Sequence, residues 1–356
     1  MRIQPDQKRV FRRYLLADYP LHVTFQNAEL QDLFNKSFKA FLNPMLSDQL
    51  DFGHEEQGSG HHLDVIIDTV LPRPTAAQAL WYQGTMPQLP DTNFIHHAST
   101  DESLIVVNDC VALVTHYATR RSRLVALPNY QLIAVHTLLM NAFVDAAHTG
   151  GQLVMHAAAL ALPKRREMVL IHAPSGTGKT TTALMLMAAG FKLASDDMAF
   201  ILPQETPTVY GLPRSLKVHR NTAKLLPWVE AKLSDVDWNR EGERPLYLDS
   251  LGDLPSTNQP EALPIAALIR LTRGYGLSEM KPICPVDMLA SLAADNVRRG
   301  DATIGLLPID QARFSGYASL VSRVPLFDLV VGYDHASVPG LVEATCNALG
   351  EAPLAI

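Results

Sequence analysis

The sequence predicts an α/β fold in two modules, with a smaller β-rich α+β domain over 1–127, a connecting helix over 128–150 and a larger α/β domain over 151–356. Three observations lead there. At about 150 residues per domain, 356 residues suggest two. The first third of the chain is a series of short β-rich runs broken by turn residues. After residue 151 an apolar strand runs into a glycine-rich turn, a helix and a second strand, the pattern of a β-α-β unit.

In the first module, Leu30, Leu33, Phe34, Phe38, Phe41 and Leu42 recur at helical spacing and predict an amphipathic helix over 28–42 capped by Asn27. HLDVIIDTV, SLIVV, CVALVTHY and RLVALP read as strands of a meander, with turns at Asn108-Asp109 and at the basic tip ATRRSR. Pro128 and Asn129 then introduce a buried helix from Gln131 to Ala147, which Gly150-Gly151 closes.

The second module opens on two strands, QLVMHAAALAL and MVLIHAP, joined by PKRRE, whose Lys164, Arg165 and Arg166 read as a solvated hairpin tip. A helix over 178–189 ends at Gly190 and is followed by one strand, FKLASDDMAFIL. Residues 203–264, rich in Pro, Asn and charge, read as functional loops or a lid with brief regular segments. ALPIAALIRLTRG is then a strand, 285–298 a helix, and PLFDLVVGY and GLVEATCNALG a closing strand and helix.

Composition narrows the function. With 47% apolar and 19% charged residues the chain is globular rather than disordered. Its 30 Lys and Arg against 36 Asp and Glu leave a charge of −6, which argues against a nucleic-acid or anionic-membrane partner. Cys110, Cys284 and Cys346 fit neither a disulfide framework nor a CxxC site, and the first twenty residues reach no apolar run, so a cytoplasmic setting is expected. The stretch 131–147 carries His136, Asn141 and Asp145 and is too short and polar to span a bilayer.

Residues 173–180 read Ala-Pro-Ser-Gly-Thr-Gly-Lys-Thr, directly after an apolar strand and before a helix, close to the phosphate-loop pattern GxxxxGK[ST]. Pro174, Ser175, Gly176, Thr177 and Gly178 form the curled backbone whose N–H groups, with the helix N-terminus, suit a polyphosphate such as that of ATP. Lys179 would reach the outer phosphates, and the Thr180 hydroxyl would ligand Mg²⁺. Ala173 replaces the first glycine of the pattern, and Pro174 favours an extended conformation there that an L-residue tolerates.

Asp196 and Asp197 follow Lys179 by 17 and 18 positions. A helix of some 16 Å going out and a strand of about 20 Å coming back return them to the phosphate loop. Adjacent strand residues face opposite ways unless a bulge intervenes, so the two carboxylates should do different work: one holds Mg²⁺, the other takes the proton of an attacking hydroxyl.

His156 lies on the strand that leads by a hairpin into the phosphate-loop strand. His156-Ala-Ala-Ala-Leu, Ser-Gly-Thr-Gly-Lys-Thr and Ala-Gly-Phe-Lys-Leu-Ala-Ser-Asp-Asp together resemble the HPr kinase/phosphorylase superfamily over about residues 152–202. The resemblance implies a P-loop kinase domain related to phosphoenolpyruvate carboxykinases, with a mixed sheet. It implies Asp196 as the catalytic aspartate, Asp197 as a magnesium ligand and His156 as the neighbour of the catalytic aspartate. It extends weakly to YGLPRSLKV, where Arg214 either adds positive charge at phosphate or is an exposed structural arginine. The family's later Pro- and Gly-rich signature is not visible after Leu271, so the chain looks more like divergent HPr-kinase-related proteins.

The expected activity is thus Mg-ATP-dependent transfer of the γ-phosphoryl group to a hydroxyl, foremost a serine of a peptide or protein. A homo-oligomer is among the partners the resemblance implies, since hexamers occur among HPr kinases. Two readings stay open: a small-metabolite kinase, and a nucleotide-binding regulatory or scaffold protein. His54, Glu55, Glu56, His61 and His62 read as a solvated loop rather than a metal site.

Overall fold

The computed structural model describes residues 9–17, 19–32, 34, 60–86, 89–211, 215–233, 235–239, 241–251, 261–297 and 308–351. The chain divides into two compact units, Met1–Gln152 with Arg298–Ala312, and Leu153–Val297 with Arg313–Ile356.

The first unit is an eight-stranded sheet in the order β1-β2-β3-β8-β7-β6-β5-β4. Its strands are β1 (Val10–Leu16), β2 (Tyr19–Phe25), β3 (His61–Ile67), β4 (Ala79–Met86), β5 (Leu89–Ala98), β6 (Glu102–Val107), β7 (Val111–His116) and β8 (Arg121–Ala126). The meander is present as β6 to β8, but β3 joins it in parallel with β8 and also with β2, a connection that local turn signals do not reveal. Helix α1 (Leu132–Thr149) buries Leu138, Leu139, Phe143 and Ala146. The predicted N-terminal helix begins at Ala28, where the Asn27 side chain accepts from Leu30 N at 3.0 Å; its end lies outside the described residues. His61 and His62 are not loop residues: they open β3, and His61 is wholly buried. His54, Glu55 and Glu56 lie outside the described residues.

In the second unit a mixed sheet centres on β11 (Met168–His172) and β17 (Leu263–Arg273), which run parallel. On one side β11 pairs with β10 (Ala157–Ala161) and β10 with β12 (Lys192–Ser195), both antiparallel. Beyond β17 come β14 (Thr208–Gly211), β13 (Ala199–Leu202) and β9 (Leu153–Met155), while β19 (Leu326–Val331) runs parallel to β17 and pairs with β18 (Glu279–Pro282). A separate hairpin joins β15 (Leu216–His219) to β16 (Glu243–Leu246).

All five residues of β11 are buried because the sheet is covered on both faces, which its unbroken apolar run reflects. Val169 and Ile171 face a core with Leu184 and Leu186 of α2 (Lys179–Ala188), Val229 near α3 (Arg220–Leu225) in α4 (Pro227–Glu230). Met168 and Leu170 face the opposite core, with Met288 and Leu292 of α5 (Pro285–Asn296) and Tyr317 of α6 (Pro308–Val321). Helix α7 (Val338–Glu351) adds Val342 and Cys346 to the first core.

Three elements differ from the sequence reading. QLVMHAAALAL is two strands broken at His156, and FKLASDDMAFIL is two strands broken over 196–198. The second break has a local cause: Ser195 Oγ donates to Met198 O at 2.7 Å and accepts from Met198 N at 3.2 Å, closing a tight turn. The tip at 164–166 is not simply solvated, since Arg165 pairs with Glu167 and donates to Cys346 O, and Arg166 pairs with Glu261. Among the described residues no helix is long and apolar enough to cross a membrane.

Candidate active site

The site grows from the end of β11. Ala173 is buried and is not among the residues with positive φ, so an L-residue serves at the first position of the loop pattern. The two later glycines are needed: Gly176 has φ 78° and Gly178 has φ 116°, in the left-handed region that costs an L-residue about 1–2 kcal/mol. Nothing lies within 4 Å of where a Gly176 Cβ would be, so the curl opens onto free space. Pro174, Ser175 and Gly176 are exposed. Arg273, the last residue of β17, braces the loop from outside by donating to Thr177 O at 2.7 Å and Gly176 O at 3.1 Å. Gly178 is the N-cap of α2, so the loop delivers a helix N-terminus to that space.

Lys179 is nearly buried, and its Nζ stands 2.7 Å from His156 Nε2 and 3.4 Å from Ala173 O. Burial lowers its pKa, against the pull of Asp196, Asp197 and Asp295. Thr180 Oγ1 donates to Asp196 Oδ2 at 2.8 Å. Asp196 is partly buried as a residue, and its Oδ1 is buried with no hydrogen-bond partner. Burial, only partly offset by the Thr180 hydrogen bond, pushes its carboxyl up to about 6. Asp197 instead has a side chain 59% exposed, with Oδ1 3.2 Å from His156 Nε2.

The two aspartates are therefore placed the other way round from the sequence expectation. Asp196, read as the partner of His156, sits against Thr180; Asp197, read with Thr180 as a metal ligand, sits against His156. Loop, Lys179, Thr180, both aspartates and His156 do come together. Arg214 lies outside the described residues.

His156 occupies the break between β9 and β10 and is held at four points. Its backbone N–H donates to Asn296 Oδ1 at 2.6 Å, and its carbonyl accepts from His172 Nδ1 at 3.3 Å. Its Nδ1 lies 2.7 Å from Asp295 Oδ2, and its Nε2 meets Lys179 and Asp197. Burial lowers its pKa, but the hydrogen bonds to Asp197 and Asp295 outweigh that and raise it to about 9. The flanking carboxylates favour the imidazolium, whereas a 2.7 Å contact with an ammonium requires a lone pair on Nε2. Lys179 and the ring therefore share one proton at Nε2, and however it is divided Nδ1 keeps its own proton toward Asp295.

Sequence reasoning missed Asp295, Asn296, His172, Ser291 and Arg273. Two signals were present: a histidine at the end of the wholly apolar run MVLI, and an acidic residue in the last turn of a helix, where the dipole disfavours it.

The residues fit a magnesium-bound nucleotide on two counts. The enclosed, unpartnered Asp196 Oδ1 beside the Thr180 hydroxyl is an oxygen pair of the kind Mg²⁺ uses, and the open glycine curl suits a phosphate.

No family model matches the chain, and no curated protein does. Among solved structures the Hpr(Ser) kinase/phosphatase from Coxiella burnetii is similar at 12% identity, over 55% of this chain and 94% of that one, with a TM-score of 0.27. The chain is a mixed α/β structure with several sheets.

Proposed function

We propose that the second unit is a Mg-ATP-dependent phosphotransferase acting on a hydroxyl, with a serine of a peptide or protein as acceptor. One observation carries this reading: a phosphate-type loop, its lysine and threonine, two carboxylates of different exposure and a histidine share one cluster. The serine acceptor comes from the resemblance of the 152–202 segment alone.

The loop amides and the N-terminus of α2 would hold the phosphates. Lys179, released from His156, would turn to the outer ones. Thr180 and Asp196 would hold magnesium, which neutralises charge on the transferring group. Asp197 is the carboxylate open to an incoming acceptor. It would take the hydroxyl proton as the acceptor oxygen bonds to the γ-phosphorus and the bond from that phosphorus to the ADP oxygen breaks. These roles exchange those implied by the resemblance, because Asp196 is engaged with Thr180 and has its Oδ1 buried, whereas Asp197 is the more exposed of the two.

The test is γ-labelled ATP and purified protein with a host lysate divided by size, alongside Lys179→Ala. Lys179-dependent label on macromolecules, recovered as phosphoserine, is expected. Label on small molecules alone replaces this reading by the metabolite kinase. Nucleotide binding with no transfer to any fraction replaces it by a regulatory nucleotide-binding protein.

A further inference from the structure

We propose that Asp295 is a positioning residue for His156: from the last turn of α5 it holds the Nδ1 proton and so keeps Nε2 turned toward Lys179, Asp197 and the incoming acceptor. The inference deepens the phosphotransferase reading and rests on it for its kinetic consequences.

Four contacts place the clamp. Asp295 Oδ2 is 2.7 Å from His156 Nδ1, and Asn296, the next residue, accepts the His156 backbone N–H at 2.6 Å. His172, wholly buried, meets the His156 carbonyl through Nδ1, and its Nε2 lies 3.2 Å from Ser291 Oγ on the same helix. One turn of α5 thus engages the backbone and the ring of His156 together. The break between β9 and β10 is what makes this necessary. His156 falls in neither strand, so its N–H and C=O find side-chain partners instead.

The location of Asp295 speaks against a purely structural role. A carboxylate in the last turn of a helix opposes the helix dipole, and no basic residue shares that turn. Its side chain is only 22% exposed, so it is also partly desolvated. A helix needing only stability would do better with a neutral or basic residue there. The chemistry is that of an acid–histidine pair: a carboxylate on one ring nitrogen selects the tautomer and leaves the other nitrogen's lone pair facing the reaction.

The test uses the full-length protein and three variants, Asp295→Asn, Asp295→Glu and His156→Gln. The last assigns the His156 ring signals in ¹⁵N spectra. In the wild type, without nucleotide, His156 should show a protonated Nδ1. In Asp295→Asn, whose amide can itself donate to Nδ1, the proton should move to Nε2. Transfer should fall about 10- to 100-fold in kcat with KM for ATP within about twofold, and Asp295→Glu should recover part of the loss. An unchanged tautomer in Asp295→Asn, or kcat within about twofold of wild type, overturns the proposal. A merely structural role would lower Tm without moving the tautomer. Should the wild type transfer no phosphate, the phosphotransferase reading fails, and the ¹⁵N spectra still decide whether Asp295 sets the His156 ring.

Discussion

Replacing Asp196 by Asn should stabilise the nucleotide-free protein at neutral pH while removing its response to magnesium nucleotide. The carboxyl is partly buried and one oxygen is buried with no partner, so its ionised form is disfavoured and its pKa lies at about 6 instead of 3.8. Between those values the folded state keeps a proton that the unfolded chain has released. Stability is therefore greatest below pH 3.8, declines as pH rises, and levels off above about pH 6. At about 1.4 kcal/mol per pH unit, the ionised carboxylate costs ~3 kcal/mol at pH 7.5 and only about 0.5 kcal/mol at pH 4. Asparagine is nearly isosteric, carries no charge and can still accept from Thr180. Asp196→Asn should then unfold about 6–12 °C higher than wild type at pH 7.5, with little change at pH 4.

Thermal unfolding at both pH values, with and without Mg-ATP, reads this directly. The wild type should gain stability from Mg-ATP by mass action, and the variant should lose the magnesium-dependent part of that gain. Equal destabilisation at both pH values would refute the argument, because it would mean the carboxylate is well satisfied where it sits. The case for a cation on its unpartnered oxygen would go with it.

Two other outcomes follow from the packing. A Cβ on Gly211 would lie 2.2 Å from Ala194 O and 2.6 Å from Ser195 Cβ, so Gly211→Ala should cost about 1–3 kcal/mol in urea unfolding. Transfer should suffer more than stability does, because the strand pushed aside leads directly into Asp196. In the first unit, burial holds the His61 pKa down at about 4, and its ring nitrogens meet Thr149 Oγ1 at 3.0 Å and Ser122 Oγ at 2.8 Å. The unfolded chain takes up that proton first, so stability is full above pH 6.5 and falls by ~3 kcal/mol as pH drops toward 4. His61→Gln should flatten this dependence in unfolding measured from pH 7 to pH 4.

What could be read in the sequence was local. The turn from β11 into α2 follows from Gly176, Gly178 and the strand and helix on either side, and the return of Asp196 and Asp197 to it follows from helix rise and strand length. The buried character of α1 followed from its apolar run. What escaped depends on distant partners. Asp295 and Asn296 lie 139 and 140 positions from His156, and no local pattern around it shows that they will reach it, since that contact is made by packing α5 against the face of β11 that carries Met168 and Leu170. The parallel pairing of β3 with β8 is long-range in the same way, and so are β1, β2, β4 and β5, whose edges are set by partners rather than by turn residues.

The exchange of the two aspartates lies between these cases. Alternation along a strand holds only while the ladder keeps its register, and here it does not. Ala159 pairs with Ser195 but Leu160 pairs with Leu193, leaving Ala194 as an extra residue in β12, a bulge that shifts the facing of whatever follows. Ser195 then closes the turn through both backbone groups of Met198, so alternation ends one residue before the first aspartate. Gly211 on β14 leaves the room this needs: with any side chain there, Ala194 O could not occupy its place. A bulge, a serine-closed turn and a glycine two strands further along the sequence together send one carboxylate to Thr180 and the other to His156. The different surroundings of the pair were thus predictable from adjacency, and which member takes which was not, because the register shift at Ala194 intervenes.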